Sequence, residues 1–530
     1  MKLINDLIRG HLAPLFAGAI AVLYLVLVGF RGVGRSSVDW LEGSRQLAMD
    51  LANEPASFFD LSASSTSLIE LFGAFVYLLT PTGYSEWALF GFSVLAGAVA
   101  TALIFYLASR LAGALGGWMA LFFLISSAPW IGLFTRLDPT FLLVPIILAA
   151  LCVWYAPGPS WWKKSLVAAP LLAVGTLLWA GTLIILGLVL IVELLVPLTR
   201  KKADLPGLVD GPTLELDRLT TPLVMVGLLL LYPLFWPAPV ESLIEFLLAP
   251  LAAAPPEFVF RGSLYPPDRP PWYFGLAWIF EQMPLAVVIG FLAGIFWVFT
   301  GVHTEKRRFA LSCTAITLAL LALPVIFRSP RPLGAEFGVI FVAFATPIAA
   351  LVVCRFFSHA LGQGAPSTKV RQVAIVAFLL GGISVLIEAP RAMESPETFR
   401  SPMTARLVGW SAGNDTPLRE EILPLRMIEI SGAKKGARLY RGDWGSYLDI
   451  YERMGVLGEV QTTDDRDSAY AAIRQVPAVF ADRQNAYVGS YVPALQDSKT
   501  MLVPDIHRPL FFLDRTASVI ERQEREARQH

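Results

Sequence analysis

Charge is scarce in this 530-residue chain. Asp, Glu, Lys and Arg make up 16% of it, where an ordinary soluble domain carries about a quarter. With 55% hydrophobic residues and a mean hydropathy of +0.59, that deficit argues against a soluble enzyme. Net charge is lacking as well: 42 basic and 42 acidic side chains cancel, which excludes a general nucleic-acid binder. Cysteine is nearly absent. Cys152, Cys313 and Cys354 each sit in an apolar run, so they offer neither a disulfide framework nor a CxxC metal spacing.

The charge that is present is unevenly placed. Residues 391–530 hold 19 basic and 20 acidic side chains, which leaves 45 of 84 charges for the first 390 residues. This split predicts a polytopic α-helical membrane domain over 1–390 and a soluble domain over 391–530. A span needs roughly 20 mostly apolar residues. Such runs lie at about 11–29, 86–109, 113–131, 138–156, 164–180, 182–198, 220–236, 283–302, 308–327, 336–357 and 371–389, about eleven transmembrane helices in all. The first follows Met1-Lys2 and Arg9, is long for a signal peptide and has no small-x-small site after it. It therefore reads as an uncleaved anchor.

Loop charges test the topology. With a cytoplasmic N-terminus, the inside loops hold Lys163-Lys164, Arg200-Lys201-Lys202, Lys306-Arg307-Arg308, and Arg355 through Arg371. Every basic doublet or triplet in a connecting loop then falls inside, as the positive-inside rule asks. The outside receives the larger segments 30–85, 237–282 and 328–335, and an odd number of spans places the C-terminal domain there too. The stretch 68–82 is apolar but short and interrupted by Glu70, so it reads as an interfacial helix. The proline-rich, aromatic segment 237–282 is not a regular span.

Ionisable side chains at span ends are costly and usually have a reason. On the expected outer face they come from four places. The first loop carries Asp39, Glu42 and Arg45 in VDWLEGSR. TRLDP carries Arg136 and Asp138. The long loop carries Glu241, Glu245, Arg261, Asp268 and Arg269, with Tyr265 among them. The 328–336 turn carries Arg328, Arg331 and Glu336. A carboxylate there can act as base towards a hydroxyl, and arginines can hold a phosphate through forked hydrogen bonds. No histidine lies on this face of the membrane body, which excludes His-based catalysis or a His-rich metal site there. Each signal also has a plainer reading. Asp39 and Glu42 serve equally as solvated acids, Asp138 as an N-cap before Pro139, and Arg136, Arg328 and Arg331 as interfacial anchors.

In order, these features resemble the GT-C superfamily of membrane glycosyltransferases. More narrowly they are similar to the dolichyl-phosphate-mannose protein mannosyltransferase and lipid A aminoarabinose transferase type, glycosyltransferase family 39 and its relatives. The likeness rests on Asp39 and Glu42, then LIELFGAFVYLLTPTGYSEWALF, then SSAPWIGLFTRLDPTFLLVPIILAALCVWY, then RSPRPLGAEFGVIFVAFATPIAAL. TRLDP with its following span is the most specific piece. Many members have adjacent acids in the first loop, whereas Asp39 is followed here by Trp40. The resemblance implies transfer of a sugar from a polyprenyl-phosphate donor to a protein, lipid or glycan acceptor on the outer face, with inversion. It implies Asp39 as base or acceptor-binding acid, Asp138 as a second acid, and Arg136, Arg328 and Arg331 at the donor phosphate. Arg261, Arg269 and Tyr265 would belong to a substrate loop. Arginines can supply the charge that a phosphate leaving group needs, so no cofactor and no obligatory metal are expected.

After Pro390, GARLYRG reads as a strand, DWGSYLDIYERMG and DSAYAAIRQV as helices, and PAVFAD as a buried strand, with TMLVPDI and RPLFFLD as further strands. This pattern predicts a small α/β domain. Two other functions compete with sugar transfer. A transporter or flippase of lipid-linked sugars would show repeated halves with broken spans, and no repeat is visible. A diverged, non-catalytic member is the other.

Overall fold

In the computed structural model the described residues are 12–30, 35–54, 68–81, 83–156, 160–179, 181–198, 220–235, 258–260, 263–265, 273, 280, 283–301, 304–327, 335–361, short stretches between 372 and 390, 438–440, 445–456, 461–463, 478–481 and 510–513. Apolar helices dominate them. α1 is Ala13–Val28, α2 Arg35–Asn53, α3 Leu68–Leu79 and α4 Ser85–Ala112. Gly113, at φ +79°, ends α4 in a backbone region that suits only glycine, and it turns the chain directly into α5, Ala114–Ile125.

One continuous span was expected over 113–131, and the structure corrects this. α5 stops at Ser126, and α6, Ala128–Thr135, leaves it at 70°. The cause is local. Ser127 is extended, and Pro129 sits in the first turn of α6, where its missing N–H costs nothing and its ring cannot continue the preceding helix. The Ser126 and Ser127 hydroxyls both donate back to the Phe123 carbonyl, which satisfies it at the break. A 3₁₀ turn, Pro139–Leu142, then leads into α7, Leu143–Trp154.

α8 is Trp161–Leu178, α9 Thr182–Leu198 and α10 Thr220–Phe235. A short antiparallel hairpin follows, β1 Phe258–Phe260 and β2 Ser263–Tyr265, with Phe258 opposite Tyr265. α11 is Leu285–Gly301, α12 Thr304–Phe327 and α13 Ala335–Leu361. α13 lies at the centre of the bundle, against α4, α5, α6, α11 and α12. Its run from Val339 to Ala345 is at most 2% exposed, as an all-apolar helix requires. Gly290 and Gly294 let α11 approach it closely: a Cβ at Gly294 would lie 2.4 Å from Cγ2 of Ile348. By length and composition, Ser85–Ala112 and Val339–Phe356 can each cross a bilayer, and α5 with α6 can as a bent pair. Most of the run 371–389 lies outside the described residues.

Beyond the bundle, β3 Arg438–Tyr440, α14 Gly445–Arg453 and β4 Gln461–Thr463 form a parallel βαβ unit. β5 Ala478–Ala481 adds parallel to β3, and β6 Leu510–Leu513 pairs antiparallel with β5, giving the order β4-β3-β5-β6. β3, α14, β5 and β6 fall in GARLYRG, DWGSYLDIYERMG, PAVFAD and RPLFFLD. The segments TMLVPDI and DSAYAAIRQV lie outside the described residues.

The bundle has two distinct ends. At one, Arg110 at the foot of α4 donates to the Tyr155 carbonyl at 2.5 Å, and the Tyr155 hydroxyl meets Ser312 of α12 at 2.6 Å. Lys164 stands 4.5 Å over the Trp161 ring, and Arg308 lies 3.6 Å from the buried Glu193. These are the helix ends where the loop charges predict the cytoplasm. The start of α4, one 28-residue helix away, is about 42 Å off.

Candidate active site

The opposite end gathers the first-loop acids and the TRLDP segment. α2 forms because its apolar residues recur at helical spacing. Trp40, Leu41, Leu47, Ala48 and Leu51 are buried, while Asp39, Glu42 and Arg45 are exposed. α3 crosses α2 with almost no gap: a Cβ at Gly73 would lie 2.3 Å from Ser44 Oγ. Glu70 of α3 reaches the backbone of α2 at Gly43, beside Glu42, and Trp40 Nε1 donates to the Ile69 carbonyl at 2.9 Å. The acid that interrupts the apolar stretch 68–82 is therefore directed at the acid-bearing helix.

An aromatic group joins this pair to the TRLDP turn. Phe141 packs against Trp40 with ring centroids 6.3 Å apart and against Phe72 at 6.1 Å, and Phe72 meets Phe92 of α4 at 5.4 Å. Trp40 adjoins Asp39, and Phe141 is one helical turn past Asp138, so two motifs a hundred residues apart share one end of the bundle.

Arg136 and Asp138 are both buried, at 2% and 8% exposure. Asp138 caps the 3₁₀ turn: its Oδ1 accepts the Thr140 backbone N–H at 2.8 Å and the Thr140 hydroxyl at 2.5 Å. The N-cap reading of this residue is thus met. The Phe134 and Arg136 carbonyls face the buried Ser93 hydroxyl of α4, at 3.3 and 3.4 Å. Ser93 is seven residues into α4 from Glu86, so this turn sits about 10 Å below the top of the helix.

Three residues that sequence reasoning passed over complete this end. Glu86, 1% exposed, accepts on one carboxylate oxygen from Arg453 Nε at 2.7 Å and from the Tyr77 hydroxyl at 3.1 Å. Burial first, then the Glu86 charge, holds the Tyr77 phenol above its usual range. Arg328, Arg331, Arg261 and Arg269 lie outside the described residues, and Tyr265 is placed only as backbone in β2. Among the described residues no group of three or more His, Cys, Asp or Glu could hold a metal ion.

This end of the bundle presents exposed carboxylates, a buried arginine and a capped buried aspartate. No family model matches the chain, and no curated protein matches it. Solved structures similar to it include ArnT from Cupriavidus metallidurans bound to undecaprenyl phosphate, at 15% identity and a TM-score of 0.48, over 95% of this chain and 98% of that one. Another is the archaeal oligosaccharyltransferase AglB from Archaeoglobus fulgidus, in complex with an inhibitory peptide and a dolichol-phosphate. Its identity is 12% and its TM-score 0.47, over 85% of this chain and 64% of that one.

Proposed function

We propose that the chain is an integral membrane glycosyltransferase of GT-C type, which moves a sugar from a polyprenyl-phosphate donor to a protein, lipid or glycan acceptor on the outer face. The observation that carries this reading is the packing of the Asp39–Glu42 helix against the Arg136–Asp138 turn, through Trp40, Phe141 and Phe72. It brings the helix that carries the exposed carboxylates to the same end of the bundle as the buried Arg136, opposite Arg110, Lys164 and Arg308. About eleven spans, with the C-terminal α/β domain on the outer side, fit the same reading.

The reaction follows from these parts. The acceptor hydroxyl oxygen forms a bond to the sugar's anomeric carbon while the bond from that carbon to the phosphate oxygen breaks, with inversion. Asp39 takes the hydroxyl proton. Arg136, with Arg328 and Arg331, offsets the charge that grows on the departing polyprenyl phosphate. Asp138, held by its cap, is the second acid and orients the bound sugar. Glu42 extends the acidic face towards the acceptor.

The test is purified protein incubated with radiolabelled polyprenyl-phosphate sugars and candidate acceptors, with Asp39→Asn alongside. Labelled acceptor from the parent and none from the variant is expected. A parent that neither binds nor consumes any such donor would refute the reading.

A further inference from the structure

The Glu86 cluster does more than the transfer chemistry requires. α14 sits on the end of the bundle, seated on a patch drawn from several helices. Phe30, just past α1, meets Tyr451 at 6.1 Å, Trp87 at 6.0 Å and Phe90 at 5.8 Å between ring centroids. Trp87 Nε1 donates to the Met454 carbonyl at 3.0 Å, and Ile450 and Tyr451 are fully buried. α14 also touches α2, the helix with the exposed acids. Aromatic packing of this kind adheres but tolerates sliding. The Arg453–Glu86 pair does not, because a buried carboxylate deprived of its partner is left with an uncompensated charge. The same Glu86 oxygen holds Tyr77 of α3, so one carboxylate ties α14, α3 and α4 together.

We propose that Glu86 and Arg453 are positioning residues: the pair of buried carboxylate and half-buried guanidinium locks α14 over the end of the bundle and, through Tyr77 and α3, fixes the Asp39–Glu42 helix at that end. The lock stands on geometry alone. Its consequence for turnover rests on the transferase reading.

The experiment uses the full chain in detergent and measures amide hydrogen exchange over 445–456 and 68–79, for the parent, Glu86→Gln, Arg453→Met, the double variant and Arg453→Lys. Glu86→Gln keeps the shape of the side chain and spares the fold. Exchange over 445–456 is expected to quicken about 10- to 100-fold in Glu86→Gln and Arg453→Met. The double variant should add little to either, and Arg453→Lys should recover part of the protection. Exchange as slow as the parent's in both single variants overturns the lock. In the transfer assay, kcat should fall at least about 10-fold with the donor KM unchanged, and lysine should restore part of it. Parental kcat in variants whose exchange has quickened overturns the positioning role. A parent that transfers no sugar from any donor defeats the transferase reading alone, and the exchange data then still decide the lock.

Discussion

Replacing Asp138 separates a cap from a catalytic charge. Its Oδ1 accepts two hydrogen bonds from Thr140, one from the backbone N–H and one from the hydroxyl. Asn places a carbonyl oxygen at the same point and ranks with Asp as an N-cap, so Asp138→Asn keeps the turn. Ala removes the acceptor. Losing a cap costs about 1 kcal/mol, and a buried donor left without an acceptor costs roughly 1–3 kcal/mol more. Thr140 is half-buried, so the lower end applies, and Asp138→Ala should cost about 2 kcal/mol in total. The assays are thermal unfolding in detergent and transfer from a radiolabelled donor. Asp138→Asn should unfold within about a degree of the parent and lose on the order of 100-fold in transfer. Asp138→Ala should lose both. Asp138→Asn transferring at the parental rate would refute the catalytic part and leave Asp138 as a cap alone.

Asp39 is exposed on α2, so Asp39→Asn should leave stability within about 0.5 kcal/mol and cut turnover by roughly 100-fold or more, with donor binding intact by equilibrium dialysis. Gly294→Val should destabilise by roughly 3 kcal/mol, read as a lower unfolding temperature, because even its Cβ would lie 2.4 Å from Ile348 Cγ2 and 2.9 Å from the Ile348 carbonyl. Gly290→Ala meets Ala349, with its Cβ at 3.1 Å and its Cα at 3.4 Å, and should be milder in the same measurement. Glu193→Gln withdraws the carboxylate from Arg308, 3.6 Å away, and should lower stability by about 1–2 kcal/mol without touching donor binding.

Most helices were legible because a bilayer-length apolar run has few other uses in a chain with so little charge. Where the reading failed, a local signal had been averaged away. The run 113–131 is apolar throughout, and a sliding window takes Ser126-Ser127-Ala128-Pro129 as its tail. Pro129 permits the first turn of a new helix but not the continuation of an old one, and the two serine hydroxyls cap what the break exposes. The stretch 68–82 shows the converse. Its shortness and its acid both pointed away from a span, and α3 uses them to lie against α2 with Glu70 at Gly43. The hairpin of β1 and β2 had no distinct signal, since a proline-rich aromatic segment states only what it is not.

The packing at this end of the bundle was half legible, and the missing half has a physical reason. Arg136 and Asp138 stood out because ionisable groups near apolar spans are costly, and the structure does bury both. Glu86 and Arg453 were passed over because each already has a sufficient local explanation. Glu86 stands in the first turn of α4, where a helix favours an acid, and Arg453 in the last turn of α14, where it favours a base. Nothing within either helix shows that the two residues, 367 positions apart, meet. Yet the local preference is what makes the meeting affordable. The positive pole of α4 and the negative pole of α14 stabilise the charges as they leave water, which offsets part of the desolvation a buried pair suffers. A charge exchange, Glu86→Arg with Arg453→Glu, would keep the pair but reverse both helix-end terms. It should therefore fail to restore the hydrogen-exchange protection that Arg453→Lys partly recovers. Full restoration by the exchanged pair would show that the helix ends contribute nothing.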